Sequence, residues 1–362
     1  MDILIYGAGE SGKKLLRSLK KYKDIHVVGF IDILKKEKLE EIPIINLEKA
    51  KDYYNTCPIV ISVANFYDRR RIYEDLKSKG FQKIYIYLRK DFCKEKDFFK
   101  CECIELDSIS ENVLFYAEMG IIDFCNLNCK GCNHYSPIFE KKYPDFDKRM
   151  EDVKKIASLY NDILEFGLIG GEPLLSPDIE QYIISTRKLL PKTEIQIVTN
   201  GLLIPKLEQK ILKCISENNI TISISQYFPT VKIINSIRKQ LEQFSIDYVL
   251  KPVASKEKFY KTLCLNKDNI YEKKCISQGC INICDGRIAK CPSVLYIEEL
   301  NKKFCTHFPN DGIYNLEDFW NGQELNLKLE RKIPLCEYCI SYQIDWEMCS
   351  REKKLDDFVV IK

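Results

Sequence analysis

The 362-residue sequence has no run of about eighteen apolar residues, so no segment reads as a membrane-spanning helix. Its first residues, MDILIYGAGESG, lack the charged, apolar and small-residue regions of a signal peptide and read as a strand entering a glycine turn. A cytoplasmic protein with no membrane partner is therefore expected. Neither charge is in excess: 56 Lys plus Arg against 53 Asp plus Glu leave a net +3, little electrostatic basis for a nucleic-acid partner. The run Arg69, Arg70 and Arg71 reads as a solvated helix face. Internal repeats and low-complexity segments are also lacking.

What is present in quantity is cysteine, seventeen residues in all, together with 45% hydrophobic residues, enough to fill a core in each of two or three domains. In a reducing compartment clustered cysteines read as metal ligands, and isolated ones (Cys57, Cys93 and Cys214) as small buried hydrophobes. Apolar runs alternate with helical periodicity from residue 2 to about 88 (ILIYGAG, KKLLRSLKKY, HVVGFID, PIVISVAN, RRIYEDLKSKG, KIYIYL), a βαβ series with a parallel sheet. This gives an expected domain over 1–90, followed by a charged, irregular linker over 91–115. A second strand–helix series, from AEMGIIDF to DYVLKPV, covers 116–255. Residues 256–362 read as short, cysteine-rich and loop-like.

The stretch DFCNLNCKGCNHYSP sets Cys125, Cys129 and Cys132 at C-x3-C-x2-C spacing. A closed zinc site takes four protein ligands, usually as two pairs, and His134, so soon after Cys132, is an awkward fourth for tetrahedral closure. Three thiolates on a four-iron, four-sulfide cluster instead leave one iron open to the amine and carboxylate of a small molecule.

With that loop placed after the strand GIIDF, the sequence resembles the radical S-adenosylmethionine (radical SAM) enzymes. The resemblance extends through Gly170, Gly171, Glu172 and Pro173 after the next strand, then IVTNG (Thr199, Asn200) and ITISIS (Ser223, Ser225) at the two strand ends beyond. It implies a partial (β/α)6 barrel, a 4Fe-4S cluster on the three cysteines, and S-adenosyl-L-methionine bound through these other residues, the two glycines letting backbone approach the methionyl amine. It also implies a flavodoxin- or ferredoxin-type electron donor. Reductive cleavage of the sulfonium would yield a radical that takes a hydrogen atom from an unactivated carbon, while the protein orients the substrate. One departure is visible: many family members carry an aromatic residue just before the third cysteine, where this chain has Gly131.

Near the C-terminus, Cys275, Gly286, Cys291 and the Cys336-x2-Cys339 pair resemble the auxiliary-cluster extension called SPASM, or its shorter form, twitch. Only Cys349 follows, so the short form is expected: one auxiliary 4Fe-4S cluster on Cys275, Cys291, Cys336 and Cys339, with an electron-transfer role, against a zinc-type structural site as the alternative. Cys264, Cys280 and Cys284 are left over as candidate ligands or hydrogen-atom donors to the substrate.

GAGESG places Gly7, Gly9 and Gly12 in G-x-G-x-x-G order between a strand and a helix, with Asp32 at the end of VVGFID. Such glycines allow a tight turn against a phosphate, and the acid can take a ribose hydroxyl. The stretch from Ile3 to Tyr87 resembles the nucleotide-sugar-binding domain of bacterial sugar acyltransferases; a docking module without ligand is the other reading. Together these features predict an α/β protein with a Rossmann-like domain, a radical SAM partial barrel and a small cysteine-rich cap. The expected activity is oxidation or epimerisation of a sugar or nucleotide-linked sugar. Peptide maturation and a non-enzymatic metal-binding scaffold are the alternatives.

Overall fold

A computed structural model of the chain describes residues 1–33, 38–54, 56–63, 66–87, 98–101, 103–106, 112–255, 259–267, 275 and 279–361. Cys93 and most of the expected linker lie outside the described residues. The chain forms two units, Met1–Phe115 and Tyr116–Lys362.

In the first unit, β1 (Asp2–Tyr6) lies at the middle of a sheet in which Ile3, Leu4 and Ile5 are fully buried. Such a continuous apolar run fits a parallel strand covered on both faces. It is followed by α1 (Glu10–Leu19), β2 (His26–Ile31), β3 (Ile44–Ile45), α2 (Leu47–Tyr54), β4 (Ile59–Ile61), α3 (Phe66–Ser78), β5 (Ile84–Tyr87) and β6 (Cys103–Glu105). The strand order is β3-β2-β1-β4-β5-β6, parallel except for β6. α1 buries Leu15, Leu16 and Leu19, the spacing of a helix with one apolar stripe. The arginine run on α3 is not uniformly solvated: Arg69 is buried and its Nε donates to the Val63 carbonyl at 2.6 Å. Helical spacing turns that one residue inward while Arg70 pairs outside with Glu74 at 2.9 Å.

The second unit is built on β7 (Ala117–Ile122), α4 (Phe146–Leu159), β8 (Glu165–Gly170), α5 (Ile179–Leu189), β9 (Glu194–Thr199), α6 (Gln209–Glu217), β10 (Thr221–Ile224), α7 (Ile234–Gln243) and β11 (Tyr248–Leu250). Asp145 caps α4 by accepting from the Lys148 amide at 3.0 Å, and Met150, Val153 and Ile156 recur every third residue on its buried face. The five strands are parallel and neighbour one another in sequence order, as right-handed βα repeats dictate. β12 (Tyr260–Cys264) leaves this sheet. A further parallel strand, β13 (Ile281–Cys284), adds on the other side of β7, and β14 (Arg287–Ala289) and β15 (Ile313–Asn315) continue antiparallel from it, giving the order β11-β10-β9-β8-β7-β13-β14-β15. The sheet is thus open among the described residues.

The C-terminal part is more regular than the loop-like reading of its sequence. It carries α8 (Ile297–Phe304), α9 (Gly322–Glu330), β16 (Cys339–Gln343) and β17 (Val359–Val360), and β12 is sandwiched between the last two strands. The apolar residues that make this possible, Leu295, Ile297, Leu300, Leu335 and Phe358 among them, are scattered one or two at a time between cysteines and charges, and form one buried cluster. No helix is long and apolar enough to cross a membrane among the described residues. Of the isolated cysteines, Cys214 is buried and Cys57 half-buried.

Candidate functional site

After β7 the chain turns through Cys125, Cys129 and Cys132. N–H groups approach each sulfur. The Leu127 amide lies 3.3 Å and the Asn200 amide nitrogen 3.7 Å from Cys125 Sγ, and the Trp346 indole N–H 3.1 Å from Cys129 Sγ. The backbone N–H groups of Ser136, His134 and Tyr135 serve Cys132. Burial pushes the Cys125 thiol up to about 12 and raises those of Cys129 and Cys132, and the three thiols act on one another electrostatically. Thiolates in such a place need a compensating positive charge, and their N–H donors are those that thiolates bound to an iron–sulfur cluster accept. Among the described residues no three His, Cys, Asp or Glu side chains converge closely enough to hold a single metal ion. A four-iron cluster would be held by Cys125, Cys129 and Cys132, and a set of three thiols that each receive N–H donors suits it. The ring of His134 lies 5.7 Å from that of Tyr296, and burial lowers its pKa to about 4.

The Gly170–Pro173 turn follows β8. Its glycines answer a backbone demand. A Cβ on Gly171 would sit 2.0 Å from the Phe124 carbonyl oxygen, and one on Gly170, whose φ is +133°, 2.0 Å from that of Ile122. The Gly171 amide donates to Ile122 O at 2.7 Å and that of Glu172 to Phe124 O at 3.1 Å, so the turn is fastened to the two residues that launch the cysteine loop. Glu172 is completely buried and accepts from Thr199 Oγ1 at 2.6 Å, the Asn200 amide at 2.9 Å and the Leu174 amide at 3.1 Å. Asn200 also donates to Asn126 Oδ1 at 2.7 Å. Pro173 is buried at the start of a short turn, Ser223 is buried within β10, and the Ser225 amide donates to Thr199 O at 2.9 Å. Thus Gly170, Gly171, Glu172, Thr199 and Asn200 form one hydrogen-bonded platform beneath the triplet.

Two aromatic residues not singled out in the sequence join this site. Half-buried Tyr227 is close enough to Cys125, Cys129 and Cys132 for all three thiols to act on its hydroxyl, and its ring lies 5.8 Å from that of Trp346. Gly131 replaces the family's aromatic residue for a steric reason. Its φ is +68°, a Cβ there would be 2.9 Å from the Tyr260 carbonyl, and its amide donates to Asp357 O at 2.7 Å.

Cys275, Cys339 and Cys336, three of the expected auxiliary ligands, act electrostatically on the fourth, Cys291, whose thiol burial pushes up to about 12. Cys339 likewise has Cys275 and Cys336 as neighbours. Of the leftover cysteines, Cys264 is buried in a small apolar cluster with Ile340 and Val360. Cys284 is buried against the Arg149 guanidinium, which also pairs with Asp123 at 3.1 Å and Asp285 at 3.4 Å. Glu118, Lys251, Cys291 and Cys275 all act electrostatically on the Cys280 thiol. Glu118 accepts from Tyr116 OH at 2.6 Å and stands opposite Asn282 in the β7–β13 pairing.

In the first unit Gly7 (φ +109°) turns the chain into α1, and a Cβ on Gly12 would meet Gly7 O at 2.0 Å, while at Gly9 there is open space. Asp32 Oδ2 accepts from the Ala8 amide at 2.8 Å, bracing the turn from β2.

Residues 119–250, which hold the triplet and its platform, match the model of the radical SAM superfamily. The chain carries a radical SAM domain. Residues 2–76 match the model of the PglD N-terminal domain. A radical SAM domain implies a 4Fe-4S cluster and S-adenosylmethionine, and Cys125, Cys129 and Cys132 are the residues here that fit the cluster. Among curated relatives, GTP 3',8-cyclase of Clostridium acetobutylicum is 30% identical over 38% of this chain and 43% of its own length. That of Alkaliphilus metalliredigens is 31% identical over 32% and 36%. The chain thus spans less than half the length of these relatives. Among solved structures, BtrN in complex with AdoMet and 2-DOIA is 16% identical, covers 68% of this chain and 98% of its own, and has a TM-score of 0.39. Native anSMEcpe with bound AdoMet and Cp18Cys peptide is 16% identical over 40% and 44%, with a TM-score of 0.32.

Proposed function

We propose that this protein oxidises a hydroxyl-bearing carbon of a sugar or nucleotide-linked sugar by radical SAM chemistry. When bound, the cluster and S-adenosylmethionine supply reductive cleavage of the sulfonium and removal of one hydrogen atom from carbon, with a flavodoxin- or ferredoxin-type protein as reductant. Cys125, Cys129 and Cys132 hold the cluster, and the Gly170–Pro173, Thr199–Asn200 and Ser223–Ser225 strand ends hold the methionyl and ribose parts. Cys275, Cys291, Cys336 and Cys339 hold an auxiliary cluster that serves as electron acceptor.

One observation carries this reading. β7, which leads into the triplet loop, is paired directly with β13, which lies between Cys275 and Cys291, and Glu118 and Asn282 stand opposite each other across that pair. Glu118, a buried carboxyl with raised pKa that accepts from the Tyr116 hydroxyl, is the group we assign to take the substrate's hydroxyl proton, as an alcohol losing a hydrogen atom and an electron requires. Oxidation is favoured over epimerisation because an auxiliary cluster on Cys275, Cys291, Cys336 and Cys339 is readily explained as an electron acceptor. The nucleotide-linked half is supported by relatives named for a GTP reaction and by the PglD-type glycine turn.

The test is mass spectrometry of nucleotide sugars incubated with reduced protein and S-adenosylmethionine. We expect 5′-deoxyadenosine together with a product two mass units lighter. Absence of 5′-deoxyadenosine sinks the radical reading; turnover of peptides and of no sugar sinks the substrate class.

A further inference from the structure

The segment Trp346–Cys349 lies far along the chain from the triplet, yet it runs antiparallel to Asn128–Lys130. The Cys349 amide donates to Asn128 O at 2.6 Å and the Lys130 amide to Glu347 O at 2.9 Å, and Cys129 bridges Met348. Lys130 Nζ pairs with Glu347 Oε2 at 2.8 Å, and a step further on Gly131 N donates to Asp357 O at 2.7 Å. These ties begin at Glu347, the residue that follows Trp346. Its indole is held on the other side by the Tyr227 ring at 5.8 Å, and its Nε1–H is directed at Cys129 Sγ at 3.1 Å. An indole N–H has one donor and no acceptor role, and a half-buried indole could have satisfied it with water; here it is spent on sulfur.

We propose that Trp346 is a positioning residue for the S-adenosylmethionine-binding cluster, its N–H···S bond to Cys129 raising the cluster's reduction potential. The inference rests on the radical SAM reading above. A donor to a thiolate ligand stabilises the more electron-rich, reduced state, so its loss makes reduction harder. Loss of a hydrogen bond that is stronger in the reduced state should lower the reduced fraction of Trp346→Phe at fixed potential by roughly three- to tenfold. Phe keeps the ring against Tyr227 and removes only the N–H.

Two measurements on holoprotein decide the matter. The chain has two tryptophans, so protein labelled with 15N-indole tryptophan carries one label at Trp346, against Cys129, and one at the largely exposed Trp320, and loss of coupling in Trp346→Phe assigns it. In the reduced protein, pulsed paramagnetic resonance of the signal that S-adenosylmethionine perturbs should show 15N coupling. Detection of that coupling needs no variant to fold. In a redox titration followed by the same signal, Trp346→Phe should titrate at lower potential with its iron content unchanged. A cluster that assembles on the triplet with no 15N coupling and no shift in Trp346→Phe overturns the proposal alone. Failure of any S-adenosylmethionine-perturbed cluster to assemble overturns the radical SAM reading with it.

Discussion

The Thr199 hydroxyl donates to the Glu172 carboxylate across 2.6 Å, tying the turn after β8 to the end of β9. With the Asn200 and Leu174 amides on the same carboxylate, three donors converge on one fully buried acid. The motif acid is therefore occupied within the protein, and it fixes Asn200, whose side chain reaches Asn126 and Cys125 in the cysteine loop.

Burial pushes Glu172 from 4.5 up to about 7, the three donors opposing it. An acid whose pKa is raised on folding contributes stability that is complete below its unfolded pKa and is lost as pH rises through the folded value. Here that window runs from about 4.5 to about 7. Glu172→Gln removes the titration and turns an amide N–H toward the Asn200 N–H, an unsatisfied buried pair costing about 1–3 kcal/mol. Thermal unfolding of the intact protein should show the variant clearly less stable at pH 5, with the gap to wild type narrowing toward pH 8. A gap that is constant or widens with pH rules this assignment out.

Gly171 offers a sharper test. Because a Cβ there would lie 2.0 Å from the Phe124 carbonyl, the backbone just ahead of Cys125 must move if it is replaced. Gly171→Ala should reduce both S-adenosylmethionine binding and the iron bound by the triplet, with a stability loss of a few kcal/mol from displaced backbone hydrogen bonds. Calorimetry and iron analysis check it. Weakened binding with full iron content would mean that the glycine serves the methionyl amine alone.

Local chemistry made much of this site legible. Cys125, Cys129 and Cys132 sit on one loop, so their spacing announces a shared ligand, and Gly170–Pro173 is a short backbone device with fixed residue types. The βα repeats declare themselves through runs such as Ile3–Ile5, which a covered parallel strand requires. What escaped the sequence is long-range. Nothing in DWEMC shows that Trp346 will meet Cys129, since that contact depends on a strand-like pairing more than two hundred residues away in the chain. The return of Ile281–Cys284 to the side of β7 is equally silent, because any apolar four-residue stretch can join a parallel edge. Arg69 departs from a solvated face for a simple reason: three consecutive arginines cannot share a helix face, and the fold takes one of them inward.

In the first unit, Asp32 is engaged by the Ala8 amide at 2.8 Å before any ligand arrives. Asn at this position keeps an acceptor for that amide, whereas Ala removes this one. Asp32→Ala should therefore lower stability by about 1 kcal/mol without ligand, and Asp32→Asn should not. A nucleoside diphosphate sugar at a hundredfold its Kd should raise the wild-type melting temperature, the ligand contributing about 2.7 kcal/mol by mass action. That shift should shrink in Asp32→Asn, because an amide is a weaker acceptor for ribose hydroxyls than a carboxylate. If uridine, guanosine, cytidine and thymidine diphosphate sugars all leave the melting curve in place, the unit is a docking module.

The three spare cysteines separate oxidation from epimerisation. A substrate radical that gives up an electron and its hydroxyl proton ends as a carbonyl. One that takes a hydrogen atom back on the opposite face ends inverted, and a neutral thiol is the suitable donor. Cys264 and Cys284 are poorly placed for that role: both are nearly inaccessible, and Cys284 is held against the Arg149 guanidinium. Their Ala variants should lose stability, by about 1–2 kcal/mol for a small buried side chain, and keep the chemical outcome. Cys280 is the discriminating residue. Burial holds its thiol well above the ordinary range, so it stays protonated at neutral pH, and Glu118 acts on it electrostatically. In deuterated water an oxidase should release a product two mass units lighter with no carbon-bound solvent label, and Cys280→Ala should leave that product unchanged. A product of unaltered mass number apart from one deuterium, formed by wild type and lost in Cys280→Ala while 5′-deoxyadenosine still appears, would make the enzyme an epimerase with Cys280 as its hydrogen donor.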